Sequence, residues 1–585
     1  MLRRRERSKG GSIDGSVSLR VAFSGSDELD FRDPLLTLRA WSLSEAERAF
    51  AEAERALADG YWIAGYLNYA LGSAFHGLPV EARWPLLTIG IFDRAAPRLG
   101  EEAALERFAP PLPLFSERAY EGAIAEIVAA IRDGNVYQVN YSVPFHFALA
   151  GDPYALWSAI AARTAARYQA FVHDEERLAL SWSPELFLRF EGSTLAVRPM
   201  KGTAALDRSD ELSNEKNRAE NLMIVDVLRN DLYRLGARVE TECLLEIERY
   251  PTFATMTSTL RAHFVGSPTL AEIFAATFPC ASVTGAPKRA AMEHIARLET
   301  SPREIYCGSI GYLSPQRRGW WNVAIRTLQS DSAATNIRVG GGILYDSIAE
   351  RERREIDTKL RFLADAAQIE LWETLASDAS DDALARHLQR IADSAERLHV
   401  PLDREVLRAR IEEARRSATT PMLLRVRLDA RGTIALHREE LQRPDAIEIL
   451  LSSMRVFSDD PWLRVKSSYR PAHERAAAEA QSADCFDAVL LNERGELTEG
   501  SRSNLFLQRN GRLLTPPLAA GLLPGILRAQ MLTDDDAEEA TLFPEDLENA
   551  EAVYLGNSAR GLLCVRAIRP PAKPEITRGS LRTYR

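Results

Sequence analysis

The sequence has 585 residues, more than one hydrophobic core usually supports, so two or three domains are expected. Hydrophobic residues make up 46% and charged residues 27%, as in an ordinary globular protein, and the formal net charge is −10. This acidic balance gives no electrostatic reason to bind nucleic acid or an anionic membrane, since phosphate-rich partners attract basic surfaces. The five cysteines form no C-x-x-C pair, so neither a zinc site nor a disulfide framework is predicted, and a reducing cytoplasm fits.

The first segments along the chain mix extended and helical patterns. Residues 1–15 are predicted to be a disordered start, because their basic residues run into a polar stretch. No apolar run approaches the about 20 residues of a membrane helix, so a soluble protein is expected. Extended structure is predicted for SVSLRVAF, LLTIGIF and LERFAP. A helix from Ser42 or Ser44 to Gly60 is predicted for SLSEAERAFAEAERALADG. The mixture predicts an α+β or α/β fold.

Five ordered motifs follow between residues 116 and 365. A helix is predicted from Ser116 to Gly134 with a strand after it, and the further motifs are SWSPELFLRF, VRPMKGTAAL, NEKNRAENLMIVDVLRNDLYRLG, and SVTGAPKRAAMEHI together with GYLS, VAIRTL and VGGGILYDSIAERERREIDTKL. In this order they resemble the chorismate-utilising enzyme family. The resemblance implies an α/β sandwich like that of anthranilate synthase component I, expected over residues 16–366 with its catalytic core at 116–366.

The segment ERERREIDTKL carries a candidate metal site. Glu352, Glu355 and Lys359 stand at positions i, i+3 and i+7, which a helix places on one face. Magnesium takes few protein carboxylates together with water and substrate oxygens, so two glutamates bridged to a dicarboxylate substrate are chemically sensible. The resemblance implies that Glu220 and Glu352 bind magnesium, with Glu355 close by. Without the flanking motifs, the same three glutamates would be interpreted as solvated helix residues.

A dicarboxylate such as chorismate needs fixed hydrogen-bond donors. A guanidinium offers a planar bidentate fork, and the resemblance implies that Arg326 in AIRT has this role. Tyr312 and Lys359 are expected to help. Glycines let a ligand approach the backbone closely, and the resemblance implies that backbone N–H groups also bind the substrate at Gly340, Gly341 and Gly342.

Two positions distinguish the reactions of this family. Water-adding relatives carry a lysine base where this chain has Gln138, and a neutral amide cannot act as a base, so ammonia is the expected nucleophile. Anthranilate-forming relatives resemble P-I-A-G-T, whereas this chain has P-M-K-G-T, with Lys201 and Thr203 as candidate catalytic residues. The lysine resembles the aminodeoxychorismate branch. This implies that a neutral Lys201 attacks ring carbon C2 as the C4 hydroxyl leaves; alternatively, Lys201 only neutralises a carboxylate.

Three further observations concern the same reaction. Glu185 in SPELF is expected to position or protonate groups at the ring. Cys280 and Ala281 precede SVTGAPK, where relatives often have paired glycines, and this could narrow the substrate loop. The sequence has no G-x-C-x-G elbow of a glutaminase. Ammonia is therefore expected from solution or from a separate glutamine amidotransferase subunit.

From Ile369 onward the motifs belong to a different chemistry. They are IELWETL, ALARHLQRIADSAERLHV, LRVKSSYRPAHERA, LTEGSRSNLFL, GLLPGILRAQML and YLGNSARGL. In this order they resemble the fold-type IV pyridoxal-phosphate enzymes, which include D-amino acid aminotransferase. The resemblance implies a two-subdomain enzyme over residues 367–585.

The resemblance implies pyridoxal 5'-phosphate as cofactor and gives its candidate ligands. Lys466 would bond the cofactor and shuttle a proton, and Glu499 would pair with the pyridine nitrogen. The expected ligands of the cofactor and its phosphate are Arg390, Gly525, Ile526, Asn557 and Ser558. Gly525 and Ile526 stand where a loop enters a predicted helix, whose first N–H groups suit a phosphate.

Aminotransferases and lyases share this machinery, so the second domain alone leaves its reaction open. Joined to a domain that makes aminodeoxychorismate, it is expected to eliminate pyruvate and leave 4-aminobenzoate, a folate precursor. Two alternatives remain: anthranilate synthase component I joined to an aminotransferase, and a C-terminal half without catalysis. Lyase relatives commonly form homodimers, and the resemblance allows one here.

Overall fold

The computed structural model of the chain describes residues 19–98, 108–149, 151–204, 210, 212–250, 254–332, 335–367, 369–398 and 400–570. The start predicted for residues 1–15 lies outside these ranges. The contacts divide the chain into two compact units: the first ends at Ala366, and the second begins at Ala367 and also includes the described residues 108–112. Both units mix helices with mostly antiparallel strands, which confirms the α+β prediction.

The described residues up to Ala367 form eight helices and twenty strands. The helices are α1 Leu43–Ala58, α2 Tyr69–Phe75, α3 Glu117–Arg132, α4 Pro153–Thr164, α5 Glu215–Tyr233, α6 Leu270–Thr277, α7 Lys288–Leu298 and α8 Ala349–Ala367. The strands are β1 Arg20–Gly25, β2 Leu29–Phe31, β3 Leu36–Ala40, β4 Trp62–Leu67, β5 Leu87–Phe92, β6 Ala96–Pro97, β7 Leu112–Pro113, β8 Gln138–His146, β9 Tyr168–Asp174, β10 Arg177–Ser183, β11 Leu186–Glu191, β12 Thr194–Arg198, β13 Met200–Ala204, β14 Arg238–Arg249, β15 Ala254–His263, β16 Gly285–Ala286, β17 Ser309–Leu313, β18 Arg318–Asn322, β19 Thr327–Ser330 and β20 Thr335–Ile343.

Two large antiparallel sheets build the first unit. One has the strand order β16-β8-β20-β19-β10-β9-β1-β2-β6, and the other β13-β15-β12-β11-β18-β17-β4-β5-β3. Phe23 and Val172 of the first sheet meet Tyr66 and Ile310 of the second in one buried cluster. The sheets therefore pack face to face, which confirms the expected sandwich. Helices α1, α5 and α6 cover the other face of the second sheet.

The helices predicted in this unit are confirmed. Helix α1 begins after Ser42, whose side chain and that of Glu45 cap each other's backbone N–H groups, and α3 begins after a Ser116 cap. SVSLRVAF and LLTIGIF overlap β1 and β5. Of LERFAP, predicted to be extended, residues 108–110 form no regular element, and residues 105–107 lie outside the described ranges. Pro110 and Pro111 have no N–H to donate to a strand ladder. In the described part of the chain, no helix combines the length and apolar character that a membrane crossing requires.

The described residues from 369 onward form five helices and eleven strands. The helices are α9 Asp381–Arg397, α10 Arg404–Arg416, α11 Pro471–Ser482, α12 Ile526–Thr533 and α13 Pro544–Asn549. The strands are β21 Glu370–Ala376, β22 Met422–Asp429, β23 Ile434–Glu440, β24 Ala446–Val456, β25 Asp487–Asn492, β26 Leu497–Gly500, β27 Asn504–Arg509, β28 Arg512–Thr515, β29 Ala537–Glu539, β30 Ala552–Asn557 and β31 Gly561–Arg569.

These strands form two separate sheets in the second unit. The smaller sheet is antiparallel with the order β21-β22-β23, and α9 packs against β21. The larger has the order β26-β25-β24-β31-β30-β27-β28-β29, and an additional β26–β27 pairing closes six strands into a ring. Ile449, Val489, Leu505 and Leu555 of this ring share a buried apolar cluster. The small sheet and the closed ring agree with the two subdomains expected for this half.

Candidate active sites

The first unit contains a cavity between β20, α8, β13 and α5, here called the first cavity. Ten predicted site residues line it: Glu185, Lys201, Glu220, Arg326, Gly340, Gly341, Gly342, Glu352, Glu355 and Lys359. They come from segments spread over about 175 residues of sequence (residues 185–359). The ordered motifs therefore meet in one place, which the sequence alone could only imply.

Gly341 on β20 is the meeting point of three side chains of α8. A Cβ atom at Gly341 would lie 3.5 Å from Lys359 Nζ, 3.6 Å from Glu352 Oε2 and 3.7 Å from Glu355 Oε1. Lys359 Nζ donates to the Gly340 carbonyl at 2.7 Å and pairs with Glu355 at 2.6 Å. The helix face predicted from the i, i+3, i+7 spacing is thus present and faces the glycine strand.

The carboxylates of this cavity suit a hard divalent cation. Glu220 comes from α5, Glu352 and Glu355 come from α8, and Ser347 Oγ donates to Glu352 Oε1 at 2.7 Å. Within the described ranges, no group of three or more His, Cys, Asp or Glu side chains forms a metal site by itself. Magnesium completes its shell with water and substrate oxygens, so an incomplete protein set of oxygen ligands fits magnesium bound together with a substrate.

An amine and a carboxyl group stand at the opposite wall of the first cavity. Lys201 on β13 donates from Nζ to the Ser282 carbonyl at 3.1 Å. Burial raises the pKa of Glu185 to about 7, although a hydrogen bond from Ser282 and the charge of Lys201 oppose the rise. Glu185 Oε1 has no hydrogen-bond partner among the described residues. Glu185 is therefore a carboxyl group that can hold a proton near neutral pH.

Arg326 enters the first cavity from a strained position. Its φ of 49° lies in the left-handed region, which is uncommon for a residue with a side chain. Burial lowers the pKa of its guanidinium to about 10, with Tyr250 opposing. The guanidinium carbon lies 5.7 Å from the centre of the Phe362 ring. An anionic ligand in the cavity would offset this burial.

Gln138 lies directly behind the glycine strand. The side chain is 1% exposed, and neither amide atom has a hydrogen-bond partner in the described part of the chain. A Cβ atom at Gly342 would come within 1.9 Å of Gln138 Nε2, so only a glycine fits there. The predicted neutral amide therefore borders the cavity wall without being part of its open lining.

A second cavity lies in the second unit and is lined by all seven predicted cofactor residues: Arg390, Lys466, Glu499, Gly525, Ile526, Asn557 and Ser558. Lys466 is partly exposed because it faces this cavity. Burial nevertheless lowers its pKa to about 8; Arg390 and Arg470 lower it further, while Glu373 and Glu499 oppose. Because of this lowered pKa, Lys466 can lose its proton near neutral pH.

Glu499 is held by three neighbours in the second cavity. Arg470 donates to Oε1 at 2.7 Å, His473 Nε2 lies 2.9 Å from the same oxygen, and Asn504 donates to Oε2 at 3.3 Å. Arg470 and His473 stand at the start of α11, four and seven residues after Lys466. The lysine and the carboxylate that were predicted to act on one cofactor are thus positioned by the same segment.

Arg390 is fixed by a buried carboxylate. Its Nε and Nη2 donate to Glu373 at 2.7 and 2.8 Å, and its Nη1 donates to the Pro524 carbonyl at 3.0 Å. His387 contacts Glu373 through Nδ1 at 2.6 Å and Ser558 Oγ through Nε2 at 2.9 Å. Burial lowers the pKa of His387 despite Glu373, so a neutral ring orients Ser558.

These residues fit a pyridoxal phosphate. Helix α12 begins after Gly525, which offers no side chain to cap the first N–H groups, and such a helix end suits a phosphate. A Cβ atom at Gly525 would lie 1.6 Å from Asn504 Oδ1, so a side chain there is excluded. Lys466 can bond the aldehyde, Glu499 can pair with a pyridine nitrogen, and Arg390 can add positive charge near the phosphate.

Comparison with known proteins agrees with this geometry. The family model described as chorismate binding enzyme matches residues 98–365. The aminodeoxychorismate synthase component 1 of Salmonella typhimurium is 35% identical over 252 residues, covering 41% of this chain and 56% of that protein. The Klebsiella aerogenes protein of the same name is 32% identical over 337 residues, covering 51% of this chain and 75% of that protein. The chain belongs to the chorismate binding enzyme family.

The remainder of the chain carries a second family domain. The family model described as amino-transferase class IV matches residues 382–568, so the chorismate binding enzyme part is followed by a class IV part. Anthranilate synthase component I from Streptococcus pneumoniae matches with a TM-score of 0.50 and 21% identity, covering 61% of this chain and 95% of that one. At this identity the likeness shows the shared fold alone. A fold-type IV domain implies pyridoxal phosphate as its cofactor.

The prediction of Tyr312 as a substrate-binding residue of the chorismate binding enzyme part is wrong. Tyr312 on β17 does not line the first cavity; it packs between the sheets, with ring centres 4.9 Å from Phe23 and 5.6 Å from Trp320. Burial raises the pKa of its hydroxyl group, and a hydrogen bond with Asp27 adds to the rise. Strand alternation turns this side chain toward the core, which the motif GYLS did not reveal. The side chain of Thr203 lies outside the described residues.

Several residues that line the cavities were not singled out from the sequence. Asn140 and Arg338 line the first cavity, and Arg338 is held by Glu299 at 2.9 Å. Arg425, Arg502 and Arg560 line the second cavity. The position of Arg338, two residues before a run of glycines, was a sequence signal that could have identified it. Nothing in the sequence connects three arginines spread over 136 positions.

Proposed function

We propose that this chain makes 4-aminobenzoate from chorismate in two steps. The chorismate binding enzyme part would replace the C4 hydroxyl of chorismate with ammonia, giving 4-amino-4-deoxychorismate. The class IV part would then release pyruvate and leave the aromatic ring. The observation that carries the proposal is a lysine in each cavity with an acidic neighbour, Lys201 near Glu185 and Lys466 near Glu499.

Substrate binding in the first step would depend on cations. Magnesium would be held by Glu220 and Glu352, with Glu355 close by, and would neutralise a carboxylate of chorismate. Arg326 would bind a carboxylate through its planar fork, and Lys359 would add positive charge at the glycine strand. These groups would fix the ring between the glutamates and Lys201.

The first step then needs a nucleophile and an acid. The Lys201 amine would attack C2, both ring double bonds would shift along the conjugated path to C4, and the C4 oxygen would leave as water after taking a proton from Glu185. Ammonia would next add at C4, both double bonds would shift back, and Lys201 would leave C2 with its electron pair. A carboxyl group with a pKa of about 7 holds the required proton at neutral pH.

Gln138 supports ammonia over water as the nucleophile. Water must lose a proton as it attacks, and a neutral amide cannot accept one, whereas ammonia attacks without a base. The two unpartnered amide atoms of Gln138 lie behind Gly342, at the edge of the cavity. This position therefore provides no group that would activate water.

In the second step, the residues of the chain would orient the cofactor and move a proton. Pyridoxal phosphate, when bound, would withdraw electrons from the substrate carbon that bears the amine. Glu499, held by Arg470 and His473, would keep the pyridine nitrogen protonated. Lys466 would take the proton from C4, the C3–O bond would break, and the ring would become aromatic. Lys466 would return the proton to the released enolpyruvate, giving pyruvate.

The names of the relatives support a proposal for the supply of ammonia, and the cysteines support one for the location of the reaction. The related proteins are named component 1, which supports a separate glutamine amidotransferase as the partner. The cytoplasm is the proposed location, consistent with five cysteines that are all free. A homodimer through the class IV part stays a prediction.

The proposal is tested by incubating the chain with chorismate, ammonium, magnesium and pyridoxal phosphate and separating the products by chromatography. Equal amounts of 4-aminobenzoate and pyruvate are expected. Anthranilate as the aromatic product would show that the chain is an anthranilate synthase component joined to an aminotransferase. Accumulation of 4-amino-4-deoxychorismate with cofactor present would show that the class IV part does not catalyse the second step.

A further inference from the structure

Three arginines of the second cavity have no part in the cofactor site described above. Arg425 lies on β22 directly opposite Thr374 of β21, and both line the cavity. Trp372 and Leu423 stand two positions away on the same strands and line it as well. One face of the small sheet is therefore a wall of this cavity, and Arg425 is its cationic group.

The other two arginines come from neighbouring turns of the closed ring. Arg502 follows β26, and Arg560 lies in the turn between β30 and β31. The Asn557 side chain joins these turns, because it donates to the Arg502 carbonyl at 3.3 Å and accepts from the Arg560 N–H at 3.1 Å. Both guanidiniums lie near the Phe486 ring, at 5.7 and 6.0 Å from its centre. Their placement is thus fixed by the backbone and by one shared aromatic surface.

The positive charge of these arginines is only partly compensated within the protein. Arg425 pairs with Glu439 at 3.0 Å, and both side chains are about half exposed. Arg502 and Arg560 form no ion pair with any residue that the structure describes, and the buried Arg560 Nε has no hydrogen-bond partner there. Burial lowers the pKa of Arg560, and the charges of Arg502 and Arg425 lower it further, while Asp487 and Glu439 oppose. An anion among the three guanidiniums would relieve this repulsion.

The lining of the second cavity as a whole also has an excess of positive charge. Its described charged residues are six cations and two carboxylates: Arg390, Arg425, Lys466, Arg470, Arg502 and Arg560 against Glu474 and Glu499. A cofactor phosphate carries about two negative charges and would use the side of Arg390 and α12. The charge of Arg425, Arg502 and Arg560, which belong to other elements than Arg390 and α12, is left for the substrate.

We propose that Arg425, Arg502 and Arg560 form a carboxylate-binding subsite that selects a ring substrate with two carboxylates. This rests on the proposed function, since 4-amino-4-deoxychorismate has one carboxylate on the ring and one on its enolpyruvyl group, apart from the amine that must reach Lys466. Guanidiniums bind carboxylates through paired hydrogen bonds, so two carboxylates occupy the cluster better than one. A substrate with a single carboxylate leaves part of the cluster unpaired.

The test uses the full chain loaded with pyridoxal phosphate and two non-reacting probes. Isophthalate has a planar ring with carboxylates in a 1,3 arrangement, and benzoate has one carboxylate. Binding is followed by the absorbance of the bound cofactor, so that ligands of the first cavity do not contribute. We expect isophthalate to bind at least about 10-fold more tightly than benzoate, because each charge-assisted contact adds roughly this factor.

Substitutions then assign the binding to the three arginines. Arg560→Met and Arg502→Met are expected to weaken isophthalate binding about 10-fold, and Arg425→Met about 3-fold, because Arg425 already pairs with Glu439. Arg560→Lys is expected to recover part of the loss, because it keeps the charge without the fork. The matched control is Arg512→Met, since Arg512 is exposed, pairs with Glu538 and lies outside the cavity. It should bind like the unaltered chain.

The outcomes separate this proposal from the proposed function. Equal binding of the two probes, or unchanged isophthalate binding in all three methionine variants, would overturn the subsite. If Arg560→Met loses the cofactor spectrum, Arg502→Met and Arg560→Lys decide the question. Supplied 4-amino-4-deoxychorismate should be converted with a raised KM by the variants. Its conversion with an unchanged KM would overturn the subsite alone, whereas no conversion by the unaltered chain would overturn the proposed function alone.

Discussion

The two cavities differ in the balance of their charged linings. The first has four carboxylates and four cations, whereas the second has two carboxylates and six cations. An even lining suits a dianionic substrate that arrives with a divalent metal ion, because their charges cancel. A cationic lining suits a phosphate cofactor and an anionic substrate together. The balance of charged residues in a cavity lining thus indicates the charge of the ligands that the cavity binds.

In each cavity, burial shifts the pKa of one side chain that can carry a proton, and the two shifts have opposite directions. Burial raises the pKa of Glu185 to about 7 in the first cavity and lowers that of Lys466 to about 8 in the second. In each case the charged form loses its hydration, so the carboxyl keeps its proton and the ammonium loses it. The same physical cause therefore produces an acid in one half and a base in the other.

Glu185→Gln is expected to lower kcat of the first step about 10³-fold, because an amide cannot donate the proton that the C4 oxygen needs. In the unaltered chain, kcat/KM should fall about tenfold per pH unit above about pH 7, as the raised carboxyl loses its proton. Initial rates with chorismate between about pH 6 and pH 9, at a constant concentration of unprotonated ammonia, measure this. A rate that rises through pH 7 in step with the ionisation of Glu185 would contradict its role as the acid.

Glu352→Gln is expected to raise the magnesium concentration needed for half-maximal rate about 30-fold, because one charged ligand of the cation is lost. The matched control is Glu350→Gln, since Glu350 lies on the same helix, is exposed and pairs with Arg354. Rates measured against magnesium concentration distinguish the two. Equal magnesium dependence of the two variants would show that Glu352 does not bind the metal.

The pH dependence of cofactor loading tests Lys466. A neutral amine attacks the aldehyde of pyridoxal phosphate, so loading of the apoenzyme should accelerate about tenfold between about pH 7 and pH 9 and level off above its pKa of about 8. Absorbance after rapid mixing follows the reaction. An increase that continues beyond about pH 10 would show that the amine behaves like an exposed lysine.

Arg470→Met is expected to have the smallest effect of the series. Removal of its charge should raise the pKa of Lys466, because Arg470 lowers it, and should slow cofactor loading at pH 7 a few-fold. Arg475→Met is the control, since Arg475 is exposed on the same helix. Identical loading profiles for the two variants would mean that Arg470 only orients Glu499.

Most of the site residues that the sequence predicted do line the two cavities, because their motifs are local. The spacing of Glu352, Glu355 and Lys359 is a helical period, and the period predicts a shared face wherever the helix lies. The loop before α12 was identified in the same way from its glycine and the helix that follows. The local structure that such patterns predict depends on only a few neighbouring residues.

The residues that sequence reasoning missed or misassigned depend on tertiary packing. Tyr312 faces the core because of the side of β17 it occupies, which a four-residue motif does not specify. Arg425, Arg502 and Arg560 meet only because β22 and two turns of the ring lie around one cavity. Glu373, buried beneath Arg390 and His387, was likewise invisible as a local pattern. Long-range contacts decide these roles.

The assignment of one lysine to each step is tested most directly by comparing Lys201→Ala with Lys466→Ala in the full chain. Lys201→Ala should not consume chorismate but should convert supplied 4-amino-4-deoxychorismate to 4-aminobenzoate. Lys466→Ala should consume chorismate and accumulate 4-amino-4-deoxychorismate without forming 4-aminobenzoate. If Lys466→Ala still produced 4-aminobenzoate at the unaltered rate, or Lys201→Ala still aminated chorismate at that rate, the assignment of one lysine to each step would be contradicted.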